Sequence, residues 1–184
     1  MGGSVALNFG IAHPEMARSL IVASAGSGSS NRETFLSNGQ AMVERLHSEG
    51  MEVVANEYAR TEIRLQLRRK DPRGFDEFLR LLESHSALGS ALTFRGFVMN
   101  RPTIYALEDK LHALQVPTLI MIGDEDEPCI EPAVFMKRNI PRSGLSVFPQ
   151  SGHAINLEEP ELFNRTVSDF LTAVEAGRWA ERKS

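Results

Sequence analysis

Short apolar runs alternate with amphipathic stretches along this chain. Three of the runs are short and rich in branched aliphatic residues, which is typical of strands buried on both faces of a parallel sheet. They occupy residues 19–24, 118–123 and 144–149. Because strands that alternate with helices form parallel strand–helix–strand units, the pattern predicts an α/β fold.

Helical patterns flank these three runs. The first helix is expected over residues 3–13, where Pro14 ends it because the residue before a proline disfavours the helical conformation. Further helices are predicted over residues 131–139 and 157–176, and the last has one apolar face. Residues 178–183 are expected to form a frayed tail.

The segment 32–113 has a different character, since its apolar residues recur at helical spacings and no strand-like run interrupts them. Asp71 and Pro72 mark a helix start, while Asn38-Gly39 and Gly50 are expected to break the helices. We therefore predict a core formed by residues 1–31 and 114–184. Residues 32–113 are expected to form a helical lid inserted into it.

Charge and composition exclude several classes of protein. The chain has 24 acidic residues and 20 Lys and Arg residues, which give a net charge of −4 and a pI near 5.8. No nucleic-acid partner is therefore expected. A single cysteine, Cys129, cannot form an internal disulfide. No apolar run approaches the ~20 residues of a membrane span, and residues 1–7 lack the pattern of a signal peptide. A cytoplasmic location without membrane contact is the expectation.

Candidate chemistry lies in two loops that follow predicted strands, where catalytic groups collect in open α/β sheets. Residues 124–127 are four consecutive acids, and His153 follows a glycine turn after the next strand. An acid and a histidine placed in this way can form the orienting half of a nucleophile–His–acid triad. Either Asp126 or Asp124 could be the acid, and we favour Asp126.

These motifs resemble those of the α/β-hydrolase superfamily, in particular its lid-bearing esterases and carbon–carbon bond hydrolases. In that family a strand ends in Gly-x-x-Asp, which makes Asp126 the triad acid, and a Ser-Gly-His turn carries the triad base, here His153. The two residues are 27 positions apart. The resemblance implies the later part of the fold, with three parallel strands, flanking helices and the helical lid.

The first three residues, Met-Gly-Gly, resemble the end of the family's nucleophile elbow, Gly-x-Ser-x-Gly-Gly. By this resemblance Met1 follows the nucleophile and supplies an oxyanion-hole N–H, while Gly2 and Gly3 permit close helix–strand packing. The nucleophilic serine and the earlier strands would precede the chain, which is then truncated. An aspartate nucleophile fits the motif less well. The strand at residues 19–24 would lack a neighbour on one side and could promote self-association.

The sequence therefore predicts a hydrolase of small carboxylic esters or related carbonyl compounds, with no cofactor and no metal. Ser4 lies too late in the chain to replace the nucleophile, and Cys129 is interpreted as a small packed residue. The alternative is a non-catalytic remnant or binding module. Aromatic and apolar residues of the lid indicate an apolar substrate group; they are Phe75, Phe78, Phe94, Phe97, Met99 and Tyr105.

Overall fold

Three parallel strands form the sheet of this protein. The computed structural model of the chain describes residues 1–181. The strand order is β1 (Leu20–Ala23), β2 (Thr118–Gly123) and β3 (Ser143–Phe148), with β2 in the centre. The predicted strands and their parallel arrangement are confirmed. Every residue of β2 is buried, as the branched aliphatic run indicated.

Helices account for most of the remaining described residues. The α-helices are α1 (Gly2–Ala12), α2 (Arg32–Ser48), α3 (Met51–Tyr58), α4 (Leu65–Lys70), α5 (Pro72–Glu83), α6 (Ala87–Thr93), α7 (Glu108–Ala113), α8 (Glu127–Asn139), α9 (Ile155–Glu158) and α10 (Pro160–Glu175). Single turns of 3-10 helix lie at Pro14–Met16, Glu62–Arg64 and Tyr105–Leu107, and a π-helical turn spans Phe94–Val98.

Residues 32–113 are helical throughout their regular structure and contain no strand of the sheet. The expected break at Asn38-Gly39 is wrong, because α2 continues through Gly39, which is buried beside Met99. The break at Gly50 is confirmed between α2 and α3. The interpretation of this segment as a lid stays a prediction.

Two helices in the later part of the chain differ from the prediction. Helix α8 begins at Glu127 rather than at residue 131, because Pro128 in the first turn needs no hydrogen-bond acceptor for its nitrogen. The predicted helix over residues 157–176 is divided into α9 and α10. The division falls at Glu159, whose non-helical backbone precedes Pro160, as a proline requires of the residue before it.

The core lies on both faces of the sheet. On one face, Leu7 of α1 packs with Ile120 and Ile122 of β2, and with Leu111 of α7 and Met136 of α8. The opposite face is formed by a second set, in which Phe170 of α10 contacts the sheet; its buried members are Leu119, Met121, Phe148, Ile155 and Phe170. Alternate residues of β2 therefore serve opposite layers, as the twofold period of a strand requires.

The predicted frayed tail is wrong for Trp179. Its ring makes an edge-to-face contact with Phe170 at a centroid distance of 4.7 Å. Its Nε1–H donates to the carbonyl oxygen of Arg142 at 2.9 Å. The sequence pattern gave no sign of this contact because Trp179 follows the end of α10 and shows no periodicity. Residues 182 and 183 of the predicted tail lie outside the described residues.

Strand β1 lies at an edge of the three-stranded sheet formed by the described residues. Beside it runs an apolar groove between β1 and α1, which several exposed hydrophobic side chains line. They are Met1, Val5, Phe9 and Met16. An open strand edge next to exposed apolar surface can pair with another strand.

Removing the Phe170 ring should strongly destabilise the fold. Phe170 is 2% exposed and joins α10 to the sheet and to Trp179, so Phe170→Ala is expected to lower the free energy of unfolding by about 3–5 kcal/mol. Val147 lies on β3 but is 53% exposed, and Val147→Ala should change it by about 0.5 kcal/mol or less. Urea unfolding followed by circular dichroism measures both, and equal losses would contradict the assignment of this core layer.

The exposed edge of β1 predicts concentration-dependent self-association of the 184-residue chain. Sedimentation velocity over a range of concentrations should show an associating species, and Ile21→Lys should shift it toward the monomer, because a charge at a strand edge opposes pairing. A monomer at every concentration would contradict the prediction.

Candidate active site

The two loops that carry the predicted chemistry meet at the carboxyl end of the sheet. The β2 and β3 strands pair in parallel, with Gly123 opposite Phe148 at their ends. The backbone N–H of Asp124 donates to the carbonyl oxygen of Phe148 at 3.0 Å, and that of Glu125 donates to Ser151 at 2.9 Å. These bonds join the acidic loop, residues 124–126 after β2, to the histidine loop, residues 149–154 after β3.

Asp126 and His153 form a hydrogen bond across these loops. Nδ1 of His153 lies 2.8 Å from Oδ2 of Asp126, so the proximity predicted from the sequence is confirmed. The Asp126 side chain is fully buried and that of His153 is 19% exposed. An ionised carboxylate accepts the Nδ1–H proton, and this tautomer leaves Nε2 as a free proton acceptor. Among the described residues no side chain donates a hydrogen bond to Nε2.

Asp124, the alternative acid, has a different partner. Its Oδ1 accepts the backbone N–H of Ser151 at 3.1 Å, two residues before His153. Asp124 thus braces the histidine loop, while Asp126 contacts the imidazole itself. The geometry assigns the ring contact to Asp126, whereas the residue spacing alone allowed either acid to contact the imidazole.

The histidine loop fits closely against the segment between α3 and α4. Gln150 adopts a left-handed backbone conformation with a φ of 52°, which turns the chain after β3. A Cβ at Gly152 would overlap the carbonyl oxygen of Ile63 and the side chain of Gln66. The backbone N–H of His153 donates to the same Ile63 oxygen at 2.8 Å. Only glycine before the histidine allows this approach.

Glu158 is a buried carboxylate that holds the histidine loop from the other side. Its two oxygens accept the backbone N–H groups of Gly152 at 2.6 Å and Ala154 at 2.9 Å, on either side of His153. Burial raises the pKa of the Glu158 carboxyl, while these two donors and Lys70 act against the rise. This role of Glu158 was not predicted from the sequence, although Glu158 and Glu159 directly precede Pro160 five to six residues after His153.

Met1 lies beside this site at the start of α1. Its carbonyl oxygen accepts the N–H of Ser4 at 3.0 Å, and burial lowers the pKa of its amino group, helped by Arg101. A Cβ at Gly3 would overlap the carbonyl oxygen of Ala23, so the close helix–strand packing is confirmed there. At Gly2 nothing lies within 4 Å, and the same expectation is wrong.

A cavity of about 660 Å³ opens next to His153. Met1 and Ser24 line it at the sheet, and residues of the 32–113 segment line its other walls, among them Phe35, Met42, Tyr58, Phe94 and Val98. Ser24 follows β1 with a φ of 45°, and its buried hydroxyl has no hydrogen-bond partner among the described residues. Sequence reasoning missed Ser24 because an unpartnered hydroxyl is a property of the tertiary structure.

Cys129 completes a set of three potential metal ligands. Ligand atoms of Asp126, Cys129 and His153 lie within 4.8 Å of one another. Burial raises the pKa of the Cys129 thiol, and the nearby Asp126 raises it further. A thiol that keeps its proton is a poor metal ligand, since the thiolate is the coordinating form. These three residues are therefore better described by the Asp126–His153 hydrogen bond than as a metal site.

Comparisons with known proteins agree with this fold, although no protein-family model matches the chain. A Bacillus subtilis (strain 168) protein, provisionally named a 2-succinyl-6-hydroxy-2,4-cyclohexadiene-1-carboxylate synthase, is 24% identical over 95% of this chain and 64% of its own length. MenH from S. aureus has a TM-score of 0.82 at 25% identity, over 94% of this chain and 65% of that one. A thermophilic esterase from Thermogutta terrifontis, solved with malate bound, has a TM-score of 0.77 at 27% identity. The structural match covers 94% of this chain and 62% of the esterase chain.

The chain belongs to the α/β-hydrolase superfamily. It spans about two thirds of the length of these α/β-hydrolases. Its relatives include esterases, which supports the hydrolase class. Within residues 1–181, no helix combines the length and the apolar character needed to cross a membrane.

The buried Glu158 carboxyl predicts a pH dependence of stability that a single substitution removes. Because burial raises its folded-state pKa above the ordinary value, the stability associated with its protonated form is present at low pH and is lost as the pH rises through the raised pKa. The wild type should therefore lose stability relative to Glu158→Gln as the pH rises above about 4.5.

Urea unfolding of both chains from pH 4 to 7 measures this difference. Glu161→Gln, at an exposed position of α10, corrects for the loss of one negative charge. A constant difference between wild type and Glu158→Gln across the range would contradict the prediction.

Proposed function

We propose that the complete protein hydrolyses small carboxylic esters or related carbonyl compounds through a Ser-His-Asp triad. The observation that carries the proposal is the 2.8 Å hydrogen bond between Asp126 Oδ2 and His153 Nδ1. His153 acts as the base, and Asp126 fixes its tautomer and stabilises the imidazolium. The nucleophile in this proposal is a serine that directly precedes Met1 in the complete protein.

The reaction follows from these positions. Nε2 of His153 removes the serine proton while the hydroxyl oxygen attacks the ester carbonyl. The backbone N–H of Met1 helps to stabilise the resulting oxyanion. His153 then protonates the leaving alcohol, which departs from the acyl-enzyme. Water, activated by the same imidazole, hydrolyses the acyl-enzyme and restores the serine. No step needs a metal or another cofactor.

The cavity supports a small substrate with an apolar group. Its aromatic and aliphatic lining comes largely from residues 32–113, which in this proposal form a helical lid over the carboxyl ends of the strands. Residues 1–31 and 114–184 then form the core. The substrate is a small molecule, and the cytoplasmic location expected from the sequence belongs to the same proposal.

A non-catalytic binding module is the second candidate. One observation favours it: among the hydrogen bonds of the described residues, none joins a serine, cysteine or aspartate side chain to Nε2 of His153, whose Nδ1 is bonded to Asp126. The cavity would then bind a small molecule without converting it. Activity of a longer chain separates the two candidates.

The 184-residue chain is expected to show no triad-dependent hydrolysis of p-nitrophenyl esters, whereas a version extended in frame upstream should hydrolyse them. In the extended chain, His153→Ala should lower kcat by about 10⁴-fold or more, and Asp126→Asn by about 10⁴-fold because the imidazole tautomer becomes wrong. Asp124→Asn is the matched control. It removes a neighbouring carboxylate that contacts the loop but not the imidazole, so it should cost far less.

Three results would contradict this assignment. The first is saturable turnover by the 184-residue chain that His153→Ala abolishes. The second is a loss in Asp124→Asn equal to that in Asp126→Asn. The third is an upstream sequence without a serine before Met1. An aspartate codon at that position would keep the fold and redirect the chemistry toward dehalogenation or epoxide opening.

A further inference from the structure

Arg101 is a half-buried cation that lines the cavity containing His153. Its guanidinium donates to the carbonyl oxygen of Ser27 at 2.8 Å and to the hydroxyl of Ser4 at 3.3 Å. It also lies over the ring of Phe35. No carboxylate within residues 1–181 pairs with it at ion-pair distance. Burial lowers the pKa of Arg101, and the nearby Arg32 lowers it further.

Arg64 is a second cation of this kind. It is 8% exposed and lines a cavity that adjoins the first, since Met1, Met42, Tyr58 and Phe94 belong to both. Its guanidinium stacks on Tyr58 and Phe78 and donates to the Tyr58 hydroxyl at 2.7 Å. The buried Nε atom has no hydrogen-bond partner in the described part of the chain.

Within residues 1–181 no carboxylate forms an ion pair with Arg101 or Arg64. Glu62 is the acidic residue that lines the cavity, and it is exposed and pairs with neither guanidinium in the described structure. Ser24 lines the same cavity as Arg101 and is 8% exposed, and its hydroxyl has no hydrogen-bond partner among the described residues. Because a buried guanidinium without a counter-charge is costly, an anionic ligand would be stabilised beside these cations.

We propose that Arg101, with the Ser24 hydroxyl, binds a carboxylate group of the substrate, and that Arg64, which lines the adjoining cavity, adds positive charge. The inference rests on the proposed function and narrows it: the substrate is an ester or related carbonyl compound that also carries a free carboxylate. Charge-assisted hydrogen bonds from a planar guanidinium suit a carboxylate particularly well. The apolar walls near Phe35 and Phe94 contact the rest of the molecule.

Ligand binding to the 184-residue chain tests this subsite without any catalytic step. The probes are phenylacetate and its uncharged methyl ester, titrated by calorimetry and by NMR of 15N-labelled His153. The wild type should bind phenylacetate at least about tenfold more tightly than the methyl ester, as expected for a hydrogen bond to a charged group. This comparison needs no variant.

Substitutions then locate the subsite. Arg101→Gln should weaken phenylacetate binding by about 10- to 100-fold and leave the methyl ester unchanged, and Arg101→Lys should lose less because it keeps the charge. Ser24→Ala should weaken phenylacetate about fivefold. Arg165→Gln removes the same charge from the exposed face of α10 and should change neither affinity.

Equal affinities of the wild type for the two probes would overturn the inference, as would absent phenylacetate binding or an equal loss for both probes in Arg101→Gln. The affinities for the two probes are measured without hydrolysis, so failure of the subsite and failure of the proposed function can be told apart. Ester turnover by the extended chain, without preference for carboxylated esters, would keep the function and remove the subsite. Selective phenylacetate binding with no turnover by the extended chain would do the reverse.

Discussion

The parallel pairing of β2 with β3 is the constraint on which the candidate site depends. Parallel strands end at the same edge of a sheet, so residues that follow β2 and β3 meet there even though 27 positions separate them. The buried aliphatic residues of β2 fix the register, because a shift of one residue would turn its two core faces outward. The contact between Asp126 and His153 therefore depends on the packing of the buried β2 residues in the core.

The loop that carries His153 is held from several directions at once. Asp124 binds the backbone at Ser151, the carbonyl of Ile63 binds the N–H of His153, and Glu158 accepts the N–H groups on either side. The backbone N–H groups of residues 151–154 thus all have hydrogen-bond partners. A ring orientation fixed by so many bonds loses little entropy when a substrate arrives, which is what an acid–base residue requires.

Burial has opposite consequences for the charged groups around the cavity. Glu158 and Cys129 respond by a raised pKa, which favours their neutral forms. An arginine side chain is charged at ordinary pH, so a buried guanidinium needs an anion or aromatic faces around it. Tyr58 and Phe78 supply those faces to Arg64. Arg101 has one aromatic face, that of Phe35, and two neutral hydrogen-bond acceptors in the described protein. The proposed carboxylate would add the negative charge that these neighbours do not supply.

Periodicity along the chain was enough to predict the α/β fold, the three strands and the two loops that carry Asp126 and His153, because strand-like and helical patterns are local properties. Proline and glycine placed the helix ends only in part: Gly39 lies within α2, since burial beside Met99 outweighs its weak helix propensity. The choice of Asp126 over Asp124 as the imidazole's partner needed the tertiary structure, because consecutive acids point in different directions. The tertiary structure was also needed to find the hydrogen bonds of Glu158 to the histidine loop, the contacts of Trp179 and the Ser24 hydroxyl, which has no partner among the described residues. The same is true of the guanidinium groups that have no carboxylate partner there. These features depend on which distant groups burial brings together, and no local pattern encodes that.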